Sequence, residues 1–245
     1  MASNDVDMKK LLEAGAHFGH KTSRWHPKMA PYIHSKRGGI HIIDLVQTAD
    51  NLSLALEFVE KTVAESKTIL IVGTKKQAQE AARKTADETS SPYVVNRWIG
   101  GMLTNSKTIQ GRIKYLKDLE EKMQSGQFAA RYNKLELQRV QEEIDHMNWM
   151  YGGIKAMPAK PNAVFVFDAL HDDNAIKEAQ KLSIPVVAIV DTNVDPSTID
   201  WPIPCNDDSK KTHDLIGELL TTAINSGKSK QKTEVKKEEE KKEDK

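Results

Sequence analysis

Three stretches, "TILIVGT" (68–74), "NAVFVFD" (162–168) and "PVVAIVD" (185–191), are near-continuous apolar runs. Runs of this length without alternation read as strands buried on both faces, which is the situation in a parallel sheet. Helical patterns come after the first run, at 75–88, and lie between the other two, at 174–182. Strand, helix, strand with short loops is the βαβ unit, so the chain is expected to be an α/β protein. "SPYVVN" (91–96) and "PIPCN" (202–206) read as further short strands, and 50–66 as an amphipathic helix with Asp50 at its N-cap.

The region from 105 to 151 breaks this rhythm. Ile109, Ile113, Leu116, Leu119 and Met123 recur at helical spacing. After a turn at 125–127, Leu137, Val140, Ile144, Met147 and Tyr151 recur at spacings of 3 and 4. Two antiparallel helices zipped along these seams would make a coiled-coil hairpin inserted into the α/β domain. The expected organisation is therefore 1–104 with 152–226 as the α/β domain, 105–151 as the hairpin, and 227–245 as a tail. That tail is mostly Lys and Glu and has too few apolar groups to offset the entropy of ordering, so it is expected to be disordered.

Hydrophobic residues make up 38% and charged residues 29% of the 245, the balance of a soluble chain with a large core and a polar surface. No apolar run approaches the ~20 residues of a membrane span, and "MASNDVDMKK" has no signal-peptide core. A cytoplasmic protein without membrane contact is expected. Cys205, the single cysteine, excludes an internal disulfide and a cysteine-based zinc ribbon; it reads as a core residue.

Net charge is +1, but its distribution is uneven. No acid lies between Glu13 and Asp44, where Lys21, Arg24, Lys28, Lys36 and Arg37 fall. None lies between Glu88 and Asp118, which holds Arg97, Lys107, Arg112, Lys114 and Lys117. Residues 168–214 instead hold ten acids against four lysines. This suggests one face for a polyanion and another for solvent or a different partner.

His17 and His20, with His26, His34 and His41 nearby, invite a metal reading. Zinc usually completes such a shell with carboxylate or thiolate, and this window has neither, so no metal is assigned. A nucleotide-dependent, Rossmann-like enzyme is the rival class. "IVGTKKQAQEA" is a strand, a Gly turn and a helix start, but G-x-G-x-x-G and the P-loop pattern are absent. Asp168, Asp191, Asp195, Asp207 and Asp208 fall at or after strand ends, where they could hold Mg²⁺ or simply cap the adjoining helices and loops; capping is the simpler reading. Nothing converges on a reaction. An RNA reading uses more residues. "TSRWHPK" and "NRWIGGMLTNSKT" each set an Arg beside a Trp in acid-free sequence, suited to phosphates and bases, although Trp25 and Trp98 fit equally well as core residues.

The motifs "LLEAGAHFGHKTSRWHPKMAPYI", "RGGIHIIDL", "ILIVGTKKQA", "NRWIGGMLTN", "AVFVFDALHDDNAIKEAQKLSIPVVAIVDTNVDP" and "IPCNDD" resemble, in order, those of the bacterial ribosomal protein S-two family. The resemblance runs from about residue 8 to 225 and leaves the tail outside. It implies a Rossmann-like or flavodoxin-like three-layer sandwich with a helical hairpin. It also implies a non-enzymatic protein of the small ribosomal subunit, bridging rRNA of head and body, with neighbouring ribosomal proteins as partners. It further implies a part in docking the mRNA-binding protein S-one, and no cofactor. Carried onto this chain, the rRNA-facing residues are His17, His20, Lys21, Arg24, Trp25, Lys28, Arg97, Trp98, Asn105 and Lys107. Two departures stand out. His26 replaces a small polar residue, adding a contact, and Cys205 stands where the family often has Gly, which puts a tight backbone approach there in doubt.

Overall fold

The computed structural model describes residues 6–128, 132–158 and 160–243, with side chains as far as residue 231. The chain opens with α1 (Met8–Ala14) and strands β1 (Phe18–Lys21), β2 (Ile33–Arg37) and β3 (Ile40–Ile43). Next come α2 (Leu45–Ala64), β4 (Ile69–Val72), α3 (Gln79–Thr89) and β5 (Tyr93–Val94). The helices α4 (Ser106–Gln124) and α5 (Lys134–Tyr151) lead to β6 (Ala163–Val166), α6 (Asp173–Lys181), β7 (Val186–Val190), β8 (Trp201–Pro204) and α7 (Lys210–Glu243).

All five apolar runs form strands of one parallel sheet, ordered β5-β4-β6-β7-β8. Each central strand is buried along its whole length, because both faces are covered. Val72, Val94, Val164, Val166 and Ala188 point into one apolar cluster with Ile176 and Ala179 of α6. Ile71, Phe165, Phe167, Val187 and Ile189 point into the other, with α2, α3 and α7. At roughly 25 cal/mol per Å² of apolar area removed from water, this double burial is the main stabilising term. The strand order reverses direction between β4 and β6, so ligands of such sheets would meet the carboxyl ends there.

Four features differ from the sequence-based expectation. α2 starts at Leu45, with the Asp44 carboxylate capping Val46 N, and not at Asp50. Its first turn is drawn in by the sheet: Thr48 Oγ1 donates to the carbonyl of Pro204 on β8 at 2.6 Å. A small antiparallel sheet, β1-β3-β2, precedes α2 and has no counterpart in the expected elements, although Gly38 and Gly39, both at positive φ, are a hairpin turn signal.

The tail boundary also moves. Residues 227–231 belong to α7, which lies along α2 and α3. Lys230 pairs with Glu60 at 2.6 Å, Lys228 reaches the carbonyl of Thr89, and Gln231 Nε2 bonds Ser66 Oγ at 2.8 Å. A Cβ on Gly227 would stand 2.6 Å from the carbonyl oxygen of Glu60, so glycine permits this approach. These lysines have fixed partners, which composition does not reveal. The helical backbone continues to Glu243; the side chains of the remaining expected tail lie outside the described residues.

The two hairpin helices occur where the seams place them, with Ile109, Ile113, Leu116, Leu119, Ile144, Met147 and Tyr151 buried. The pair is offset rather than zipped end to end. Glu120 bonds Asn148 in the last turn of α5 at 2.8 Å and Lys155 beyond it at 2.6 Å. In the first half of α5 the seam thins: Val140 packs against the cluster but is only half-buried, and Leu137 is half-buried outside it. The buried seam joins the cluster on the α6 side of the sheet, so the base of the hairpin is continuous with the core.

Candidate nucleic-acid interface

Both acid-free segments lie at the carboxyl ends of the parallel strands. The first, carrying β1 and a 3₁₀ turn (Pro27–Tyr32), crosses the loop after β7: His26 N donates to the carbonyl of Thr192 at 2.7 Å, and His20 N to Thr192 Oγ1 at 2.9 Å. The second leaves β5 and arches to α6. Met29 of the first and Met102 and Leu103 of the second are fully buried in the same cluster.

Seven of the ten expected RNA-facing residues are exposed: Lys21, Arg24, Trp25, Lys28, Arg97, Asn105 and Lys107. His17, His20 and Trp98 are half-buried. Among the described residues, Lys21, Arg24, Arg97 and Lys107 take part in no ion pair. Lys28 differs. Its ammonium bonds Asp195 and Ser197 at 2.7 Å each, and this bond, with those from Ser197, holds the Asp195 carboxyl well below the usual carboxylate range. The segment uses Lys28 to fasten itself down. Trp25 stays at the surface, its ring 5.2 Å from that of buried His41. Burial pushes the His17 imidazole below its ordinary value, so it adds no positive charge near neutrality.

Trp98 is engaged internally. Glu178 of α6 accepts hydrogen bonds from Trp98 Nε1, the backbone N–H groups of Gly101, Leu103 and Thr104, and Thr104 Oγ1, all between 2.7 and 3.1 Å. Burial pushes this carboxyl up, but the donors prevail and it lies below its ordinary range. Gly101 adopts φ +85°, which lets the loop turn its N–H inward. Sequence reading misses Glu178; nothing near it in the chain marks it out.

The acid-rich segment is therefore not a separate solvated face. Asp168, Asp172, Asp191 and Asp207 are buried, and Glu178 and Asp195 anchor the basic segments. Lys75, just beyond β4, bonds Asp168, Asp207 and Asp208 at 2.7–2.8 Å. Burial opposes its charge, but the three carboxylates raise its pKa above the ordinary lysine value. Burial, then the like charges of Asp168 and Asp191, raise the Asp207 carboxyl. A bond to Asp191, with burial opposing, raises His20.

This arrangement is unsuited to a nucleotide. The place where phosphate would sit in a dinucleotide-binding sheet is ringed by carboxylates, and the lysine that could greet it is consumed by them. The space beside Gly73 is filled as well, since a Cβ there would meet Ala82 Cβ at 2.8 Å. Cys205 is fully buried, and burial raises its thiol pKa far beyond reactivity. No helix among the described residues is long and apolar enough to cross a membrane.

The chain is 47% identical over 228 residues to the small ribosomal subunit protein uS2 of Roseiflexus castenholzii, covering 93% of this chain and 86% of that one. It is 48% identical over 220 residues to the protein of the same name from Chloroflexus aurantiacus, covering 89% and 92%. To that of Bifidobacterium longum it is 46% identical over 222 residues, covering 91% and 79%. The family model described as "Ribosomal protein S2" matches residues 11–227, which spans every strand, the helical hairpin and both acid-free segments, and the chain belongs to the ribosomal protein S2 family.

Proposed function

We propose that this chain, a structural and non-enzymatic protein of the small ribosomal subunit acting in translation in the cytoplasm, binds small-subunit rRNA through the rim formed by its two acid-free segments. The observation that carries this reading is the pairing of anchors and exposed cations. Glu178, Asp195 and Asp191 hold the segments through Trp98, Lys28 and His20. Lys21, Arg24, Arg97 and Lys107 face outward with no ion pair among the described residues. Such an arrangement positions cations at fixed spacing without neutralising them, as phosphate contacts require. Trp25 and Asn105 are exposed beside them and are suited to stack on or hydrogen-bond unpaired nucleotides. The finer placement, between head and body of the subunit with a part in docking the mRNA-binding protein S-one, rests on the family resemblance.

The test is charge reversal at the rim. Lys21→Glu with Arg24→Glu in one variant, and Arg97→Glu with Lys107→Glu in another, should fold normally and incorporate poorly into small subunits at moderate salt. The slope of log affinity for rRNA against log salt should shrink by about 0.7 to 0.9 for each phosphate that is no longer neutralised. Lys61→Glu with Lys84→Glu, on the opposite face, should incorporate normally. Equal behaviour of all three would leave net charge as the only determinant and defeat the rim. Protein S-one that sediments with small subunits as well without this chain as with it would remove the docking role.

A further inference from the structure

We propose that Trp25 and His41 form a nucleobase site on the rim, in which one unpaired rRNA nucleotide stacks on the indole and is hydrogen-bonded by the imidazole behind it. The inference rests on the rRNA reading above and adds the residues that would hold a base there. His41 lies inside the first acid-free segment, on β3, the middle strand of the small antiparallel sheet. The residue is only 2% exposed, and neither of its ring nitrogens has a hydrogen-bond partner among the described residues. No other described side chain has two such atoms. Buried polar groups are nearly always paired, and a donor and an acceptor left unmade oppose folding. A partner from outside the chain would satisfy them.

The way to the imidazole leads past Trp25. Its ring lies against that of His41, with centroids 5.2 Å apart and planes tilted by 41°, yet the residue is 38% exposed. The backbone is pinned on both sides of it: Arg24 N donates to the carbonyl of Lys21 at 2.9 Å, and His26 N to that of Thr192 at 2.7 Å. The indole is therefore the part that can move, by a rotamer change that is fast at a protein surface. Turned outward, it offers a stacking face and uncovers the imidazole. Stacking on an aromatic ring combined with a hydrogen bond to the base edge is how proteins hold unpaired nucleotides.

Charge sets the class of ligand. Lys36 stands directly across from His41 in the pairing of β2 with β3, which puts both on one face of the sheet. Lys36, Lys21 and Arg24 are exposed and take part in no ion pair among the described residues, so the surroundings favour a polyanion. Burial, and then the charge of Lys36, push the imidazole below its ordinary value. It is neutral near pH 7, with one N–H donor and one acceptor. A phosphate takes donors alone, whereas a base edge carries donors and acceptors together. The imidazole thus fits the base, and the cations around it fit the phosphates on either side.

The test uses small subunits assembled with the full-length chain at saturation and probed with dimethyl sulfate and carbodiimide, which modify unpaired bases. A base protected in the wild-type subunit should become reactive in both Trp25→Ala and His41→Leu, and should stay protected in Trp149→Ala, a change on the exposed surface of α5. Loss of one stacked base should weaken the affinity of Trp25→Ala for small-subunit rRNA by about 5- to 150-fold. The slope of log affinity against log salt should not change, since no phosphate contact is lost. That separates this site from the cations of the rim, whose charge reversal lowers the slope; if the rim does not bind rRNA, those reversals show it. The free His41→Leu chain should keep its melting temperature, because the unpaired nitrogens leave with the ring. Protection retained in Trp25→Ala or in a folded His41→Leu overturns the site. Should His41→Leu fail to fold, diethyl pyrocarbonate decides: His41 in Trp25→Ala should react in the free chain and be shielded in the subunit, and equal behaviour in the two states defeats the proposal.

Discussion

The Glu178 carboxylate accepts a hydrogen bond from the indole nitrogen of Trp98 at 3.1 Å, tying an acid of α6 to the middle of an acid-free basic segment 80 residues earlier in the chain. The same carboxylate collects three backbone N–H groups from Gly101, Leu103 and Thr104. It does for this loop what a bound anion does in a backbone nest. The loop that presents Arg97 and Lys107 is thereby given one shape.

Replacing Glu178 with Ala should leave those donors without a partner. A loss of about 1–3 kcal/mol in urea unfolding is expected, together with weaker incorporation into small subunits despite the removal of a negative charge. A variant that is destabilised but incorporates normally would show that the loop is not the rRNA contact.

The Glu178 carboxyl lies below its ordinary value of 4.5 in the folded chain, as the hydrogen bonds outweigh burial. A depressed carboxyl contributes stability that is complete above the unfolded value and is lost as pH falls through the folded one. The stability difference between the wild type and Glu178→Gln should therefore be constant near neutrality and shrink below about pH 4.5. Urea midpoints across pH 3 to 7 measure it; a difference that widens on acidification would contradict the sign.

Truncation after Ser226 should lower the melting temperature, because Lys228, Lys230 and Gln231 are bonded to Thr89, Glu60 and Ser66. A loss of ~1 kcal/mol in a chain of this size corresponds to about 2–4 °C. Differential scanning calorimetry of the truncated and full-length chains measures the difference, and equal melting points would mean that these three bonds add nothing.

Along the hairpin, Leu116→Ala should cost about 2–5 kcal/mol, since Leu116 is fully buried. Leu135→Ala, at a residue 58% exposed, should stay within about 0.5 kcal/mol. Equal costs would indicate that the helices close along their full length.

Gly19→Ala should destabilise the docking of β1, since the added methyl meets Thr192 Cγ2 at 2.6 Å. Thr192→Ala removes that clash but also the acceptor of His20 N. The double variant should therefore be more stable than the sum of the single changes predicts, with a coupling of about 0.5–3 kcal/mol. Strict additivity would show that Gly19 is needed for some reason other than this contact.

The parallel sheet is legible in the sequence because its evidence is local. An apolar run such as Ile69–Val72 or Val186–Val190 has to be buried on both faces, and the helical periods between the runs dictate a crossover. The helical hairpin is legible for the same reason, in the recurrence from Ile109 to Leu119 and from Leu137 to Tyr151. The acid-free segments can be marked as basic, since charge is also written residue by residue. Which lysines remain available is decided by tertiary structure alone. Lys28 and Lys21 look alike in the chain, yet Lys28 meets Asp195, 167 residues away, and Lys21 does not. Asp50 is as good an N-cap as Asp44 by residue type, and the contact of Thr48 with Pro204 decides between them. His20 shows no carboxylate within its own segment and has two across the sheet. In each case the deciding partner lies far along the chain, at a strand end that only the closed sheet brings near. Ion pairs and hydrogen bonds act over a few ångströms of space, and sequence spacing says nothing about those distances once the chain has crossed over.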